Sequence, residues 1–88
     1  MDGKLHIVQE LETDGWIFKV GDIFSSPYSA YHFKIEKIEI EEGCEPYDAF
    51  IYGFLVHPDN HAEKIHDDSE LERHRAWYLN DYWSPEQS

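Results

Sequence analysis

Between Ala30 and Glu41 apolar and polar side chains alternate, and midway the alternation slips by one residue. Tyr31, Phe33 and Ile35 share one phase against His32, Lys34 and Glu36; beyond the slip, Ile38 and Ile40 are apolar against Lys37, Glu39 and Glu41. A period of two marks a strand with one buried face. A slip of one residue turns every later side chain to the opposite face. A continuous strand keeps its apolar side inward only if a bulge or a sharp bend absorbs the extra residue. The chain is therefore expected to build a curved sheet.

A second strand is expected over Asp48–His57, where Phe50, Tyr52, Phe54 and Val56 alternate with Ala49, Ile51 and Leu55. Apolar residues on both faces suit a central strand. Gly53 within it marks a bulge or a close backbone approach, and Pro58 ends it. Upstream, Lys4–Leu11 fits a strand or a short helix. Thr13-Asp14-Gly15 and Gly21-Asp22 are turn signals around Trp16–Val20, and Ile23-Phe24 leads into a Ser25-Ser26-Pro27 loop. Residues 58–68 read as a polar connection.

Further on, Ser69 and Glu72 have capping-box spacing, and Asp67, Asp68 and Glu70 lie where a helix dipole favours negative charge. Leu71, Arg75, Tyr78 and Tyr82 recur at helical spacing, so the pattern predicts a helix from about Glu70 to Tyr82, stopping before Pro85. The fold class is α+β: a small curved antiparallel sheet and one C-terminal helix. The bend and the strand count suggest an SH3-like barrel.

Eighty-eight residues suit one domain. A chain this short buries only roughly 60–65% of its unfolded surface, so it needs dense packing. The composition supplies that density: 41% of residues are hydrophobic and 16% aromatic. Cys44 is the single cysteine, so no intrachain disulfide assists. The start of the chain has no apolar stretch of signal-peptide length, and the longest apolar run, Ala49–Val56, is far short of a membrane span. These features place the expected location in the cytoplasm.

Few chemistries find support. His57 and His61 have a spacing that chelates zinc on a helix, but Pro58 disfavours helical geometry at His57. His66 and His74, two helical turns apart, are too distant to share an ion. No metal or other cofactor is expected. Cys44 stands among Glu41, Glu42 and Glu45, whose charge raises a thiol pKa and suppresses the nucleophilic thiolate. There is no glycine-rich phosphate loop and no G-x-S-x-G elbow. The adjacent pairs Asp67-Asp68 and Glu41-Glu42 would point apart in a strand or helix. An enzyme is not expected.

Charge is the positive signal. Nineteen Asp and Glu face seven Lys and Arg, a formal charge of −12. Residues 36–48 and 59–72 carry −5 each. Such a field disfavours direct contact with nucleic acid, whose affinity comes from neutralising phosphate, and with anionic membranes. It attracts a cationic surface. The expected function is an interaction protein that inhibits or neutralises a basic partner, a nuclease or another nucleic-acid-binding protein. By class analogy in size and charge, phage inhibitors of host defence nucleases and nuclease immunity proteins work this way. Glu39, Glu41, Glu42, Glu45, Asp67, Asp68, Glu70 and Glu72 are the expected phosphate mimics. Trp83, among the C-terminal aromatics Trp77, Tyr78 and Tyr82, is an expected interface anchor. The alternative is an SH3-like peptide-binding adaptor that uses Tyr28, Tyr31 and the C-terminal aromatics.

Overall fold

The computed structural model describes residues 4–13, 16–65 and 71–85. In chain order the strands are β1 (Leu5–Val8), β2 (Glu10–Thr13), β3 (Trp16–Lys19), β4 (Ile23–Ser25), β5 (His32–Glu41), β6 (Phe50–His57), β7 (Asn60–Lys64) and β8 (Glu72–Arg75). Helix α1 (Ala76–Tyr82) and a two-residue strand β9 (Ser84–Pro85) follow, and a 3-10 turn at Pro46–Asp48 joins β5 to β6.

The long strands β5 and β6 pair antiparallel at the centre. Ile35 lies opposite Gly53 and Lys37 opposite Tyr52, so Glu36 is the extra residue of a bulge. This is the point at which the apolar alternation slips, and the bulge keeps Phe33, Ile35 and Ile38 all buried. It also divides the outer edge of β5: β4 pairs with Phe33 and Lys34 before it, and β1 pairs with Ile38–Glu41 after it. The far edge of β6 is divided likewise, between β8 along Phe50–Gly53 and β7 at Val56–His57. Gly53 sits where these pairings meet. A Cβ there would collide with the Lys34 carbonyl oxygen and lie 2.7 Å from the Phe33 ring. The expected close approach is therefore the reason for this glycine.

One face of the sheet is covered. The β2–β3 hairpin lays Leu11 and Phe18 on it, β4 adds Phe24, and α1 adds Ala76 and Leu79, over Phe33, Ile35, Ile38 and Ile51. Phe18 and Phe24 stack at 5.2 Å. The other face is open. Among the described residues the strands do not close into a barrel; the mostly antiparallel sheet with a C-terminal helix is as expected.

The expected helix start and polar connection need correcting. α1 begins at Ala76, not Glu70, and Arg75 at its N-cap makes no side-chain cap. Glu72–Arg75 form strand β8, because pairing with Phe50–Gly53 satisfies their backbone groups across an open sheet edge. Glu72 therefore belongs to no capping box, while Ser69, Asp67, Asp68 and Glu70 lie outside the described residues. The expected polar connection contains β7, which folds back on β6 after the Pro58-Asp59 turn. Helix α1 does end at Tyr82: the Trp83 N–H donates to the Leu79 carbonyl (2.9 Å), and Ser84–Pro85 pair with β4. That pairing drives Trp83 inward, where it is 8% exposed and 6.0 Å from Phe33. Trp83 is a core residue, not an exposed anchor.

Candidate functional site

The first acidic segment is positioned by the end of β5. The strand runs to Glu41, turns at Gly43 (φ +90°) and returns through the 3-10 turn into β6. The Glu42 N–H donates to the Lys4 carbonyl (2.8 Å), fixing this end against the start of β1. Glu41, Glu42 and Glu45 are exposed here. The chain folds β2 alongside, so that Glu12 and Thr13 line a cleft of about 360 Å³ with Glu45, Pro46 and Tyr47. His6 Nε2 lies 3.2 Å from Glu42. The exposed Cys44 thiol donates to Glu41 (3.3 Å), and that bond and charge push its pKa above the ordinary value. The thiol is thereby a poor nucleophile, as its acidic neighbours imply.

The remaining expected mimics are placed differently. Glu39 has a side chain only 15% exposed; it accepts from the Tyr52 hydroxyl (3.0 Å) and lies 3.9 Å from Lys37 Nζ. Glu72 is half-buried, 3.2 Å from His74 Nε2. Asp67, Asp68 and Glu70 are outside the described residues. Asp59 and Glu63, from the second acidic segment, lie in and beyond the turn that follows His57. The strand from Phe50 to His57 spans roughly 23 Å at about 3.3 Å per residue. Among the described residues, only Glu41, Glu42 and Glu45 of the expected set are brought together. Glu12 and Tyr47 join them, through a long-range contact between β2 and the 3-10 turn that no local pattern announces.

A second concavity, of about 240 Å³, lies between the Ser26–Ser29 loop and α1. It is lined by Ser26, Tyr28, Ser29, Tyr78, Tyr82 and Trp83. The loop is held by the β4–β9 pairing, and Ser26 Oγ accepts the Tyr28 N–H (3.2 Å). Tyr28 is 81% exposed and meets Tyr82 edge-on at 6.3 Å. Tyr78 is sandwiched between His74, stacked at 4.8 Å, and Tyr82 at 5.1 Å. Tyr31 is elsewhere, edge-on to His57. Trp77 is exposed on α1 but does not line this pocket.

Two of the described histidines pair with each other, and the others face glutamates. His32 Nδ1 and His61 Nε2 are 2.9 Å apart, and His57 faces Glu63 at 3.9 Å. Among the described residues no three His, Cys, Asp or Glu side chains converge as metal ligands. No described helix is long and apolar enough to cross a membrane. The chain matches no protein-family model, no curated protein and no solved structure.

Proposed function

We propose that this chain is a protein-interaction domain that engages and neutralises a basic, nucleic-acid-binding partner. The observation that carries this reading is the acidic end of the sheet. There, Glu45 and Glu12 line a cleft that also presents Tyr47, and Glu41 and Glu42 are exposed at the end of the strand that leads into it. Carboxylates clustered at one end of an acidic domain offer a cationic groove a substitute for phosphate. Long-range attraction speeds the encounter, and an exposed aromatic at the contact slows dissociation. Glu39 and Glu72, bonded to neighbours of their own, take a minor part. Asp67, Asp68 and Glu70 extend the acidic surface in the expectation drawn from the sequence.

The pocket of Tyr28, Tyr78 and Tyr82 favours a second reading, a peptide-binding adaptor on a curved sheet of SH3-like kind. Aromatic-lined grooves accept extended proline-rich segments because those segments lose little entropy on binding.

Capture of host proteins on the immobilised chain separates the two. The first reading expects a nucleic-acid-binding protein that is released by salt and by duplex DNA, and lost when Glu12, Glu41, Glu42 and Glu45 are changed to Lys. Retention that resists both salt and DNA but fails in Tyr28→Ala and Tyr82→Ala replaces it with the adaptor.

A further inference from the structure

The open face of the sheet carries charge of the opposite sign to the rest of the molecule. Phe50, Tyr52 and Phe54 alternate along β6 and share this face. Beside them the register places Lys34 and Lys37 of β5 and Arg73 and Arg75 of β8, and β7 adds Lys64. These are five of the chain's seven Lys and Arg. Four of them cap the aromatic stripe. Lys37 Nζ lies 4.3 Å from the Tyr52 centroid, Lys64 Nζ 3.8 Å from that of Phe54, and Arg73 and Arg75 Cζ lie 4.6 and 4.1 Å from that of Phe50. Arg75 is also fixed by donating to the Asp48 carbonyl (2.7 Å).

We infer that this face binds single-stranded nucleic acid. The stripe and its cations have the two parts such a site needs: planar side chains on which bases stack, and positive charge beside them for the phosphates. A cation resting on a ring is held by a modest attraction, so an arriving base can displace it sideways toward the backbone phosphate. A sheet face with half-buried rings in a row suits a splayed single strand, not the groove of a duplex. The net charge of −12 opposes approach from afar. At physiological ionic strength, however, fields decay over about 8 Å, so the local charge governs the bound state. Of the acids on this face, Glu39 and Glu41 of β5 are bonded to Tyr52 and Cys44, and Glu36 is exposed at the bulge. The inference does not rest on the acidic end, which adjoins this face at Glu41.

Fluorescence anisotropy with labelled oligo-dT and oligo-U tests it. Binding should weaken as salt rises from about 20 to 200 mM, by the counterion release expected of a few phosphate contacts. The double variant Arg73→Glu/Arg75→Glu, both exposed residues, should weaken binding by more than about tenfold, as should Tyr52→Leu, which removes a stacking ring. Thermal melts confirm that the variants fold. If a variant does not fold, titration of the labelled wild-type chain decides: amide shifts on β6 and β8 support the inference. Shifts confined to the tyrosine pocket, or no binding at low salt, overturn it. Equal competition by poly-glutamate also overturns it, in favour of an acidic protein segment on the same face.

Discussion

Two single residues expose the forces at work. Gly53 is the point where β5, β6 and β8 crowd together, and any Cβ meets the Lys34 carbonyl and the Phe33 ring. Backbone cannot yield as a side-chain tip can, so Gly53→Ala should cost about 3 kcal/mol or more, at the upper end of overpacking effects. Urea unfolding measures it, and a loss below about 1 kcal/mol would show that the strands separate at little cost. Cys44 supplies the second case. Its raised pKa comes first from donating to Glu41, with a contribution from the charges of Glu41 and Asp48. A raised pKa leaves less thiolate at a given pH, so alkylation should be slower than for a free cysteine and should accelerate as pH rises. Glu41→Gln removes the charge and should move the rate–pH profile to lower pH; an unshifted profile would mean that Glu41 does not control the thiol.

At the scale of elements, legibility followed how local each cause was. The bulge at Glu36 could be read because the apolar phase itself records it. The central strand β6 and the end of α1 were legible for similar reasons. The start of α1 was not. Glu72, Arg73, His74 and Arg75 are all polar, so their period of two is invisible in hydrophobicity, although burial alternates along them. Their strand state comes from a tertiary cause, the open edge of β6 and the stacking of both arginines on Phe50. Such non-local pairing overrides helical spacing. The same cause conceals the cationic face, since the sequence pattern assigns Arg73 and Arg75 to a helix. The acidic end was half-legible: Glu41, Glu42 and Glu45 were in the expected set, whereas Glu12 arrives through folding. Cross-strand NMR contacts should join Arg73 to Tyr52, and helical i, i+3 contacts should begin only at Ala76. Contacts of helical type from Glu72 would restore the longer helix. Leu79, fully buried under the sheet, holds α1 in place. Leu79→Ala should cost about 2–5 kcal/mol by calorimetry or urea unfolding.

On the scale of the whole molecule, the distribution of charge matters more than its total. Four of the chain's seven Lys and Arg lie on one sheet face over aromatic rings. Among the described residues only one Lys or Arg comes within ion-pair distance of a carboxylate, Lys37 with Glu39; the other close pairs involve histidine. Four of the seven cations are thus occupied with rings, and the carboxylates repel one another largely uncompensated. Self-repulsion at −12 should make the fold more stable as salt screens it. The screening length falls from about 30 Å at 0.01 M to about 8 Å at 0.15 M, so most of the change belongs in that interval. With about 1 kcal/mol corresponding to roughly 4–8 °C for a domain of this size, NaCl should raise Tm by several degrees there. Sodium chloride is the proper salt, because sulfate would strengthen apolar burial and confuse the cause. Changing Glu41 and Glu45 to Lys, both exposed, should raise Tm at low salt and flatten its dependence on salt. A wild-type Tm that stays level or falls as NaCl is added would mean that attraction between cations and carboxylates outweighs the repulsion. The acidic end would then be engaged within the molecule, not free to meet a partner.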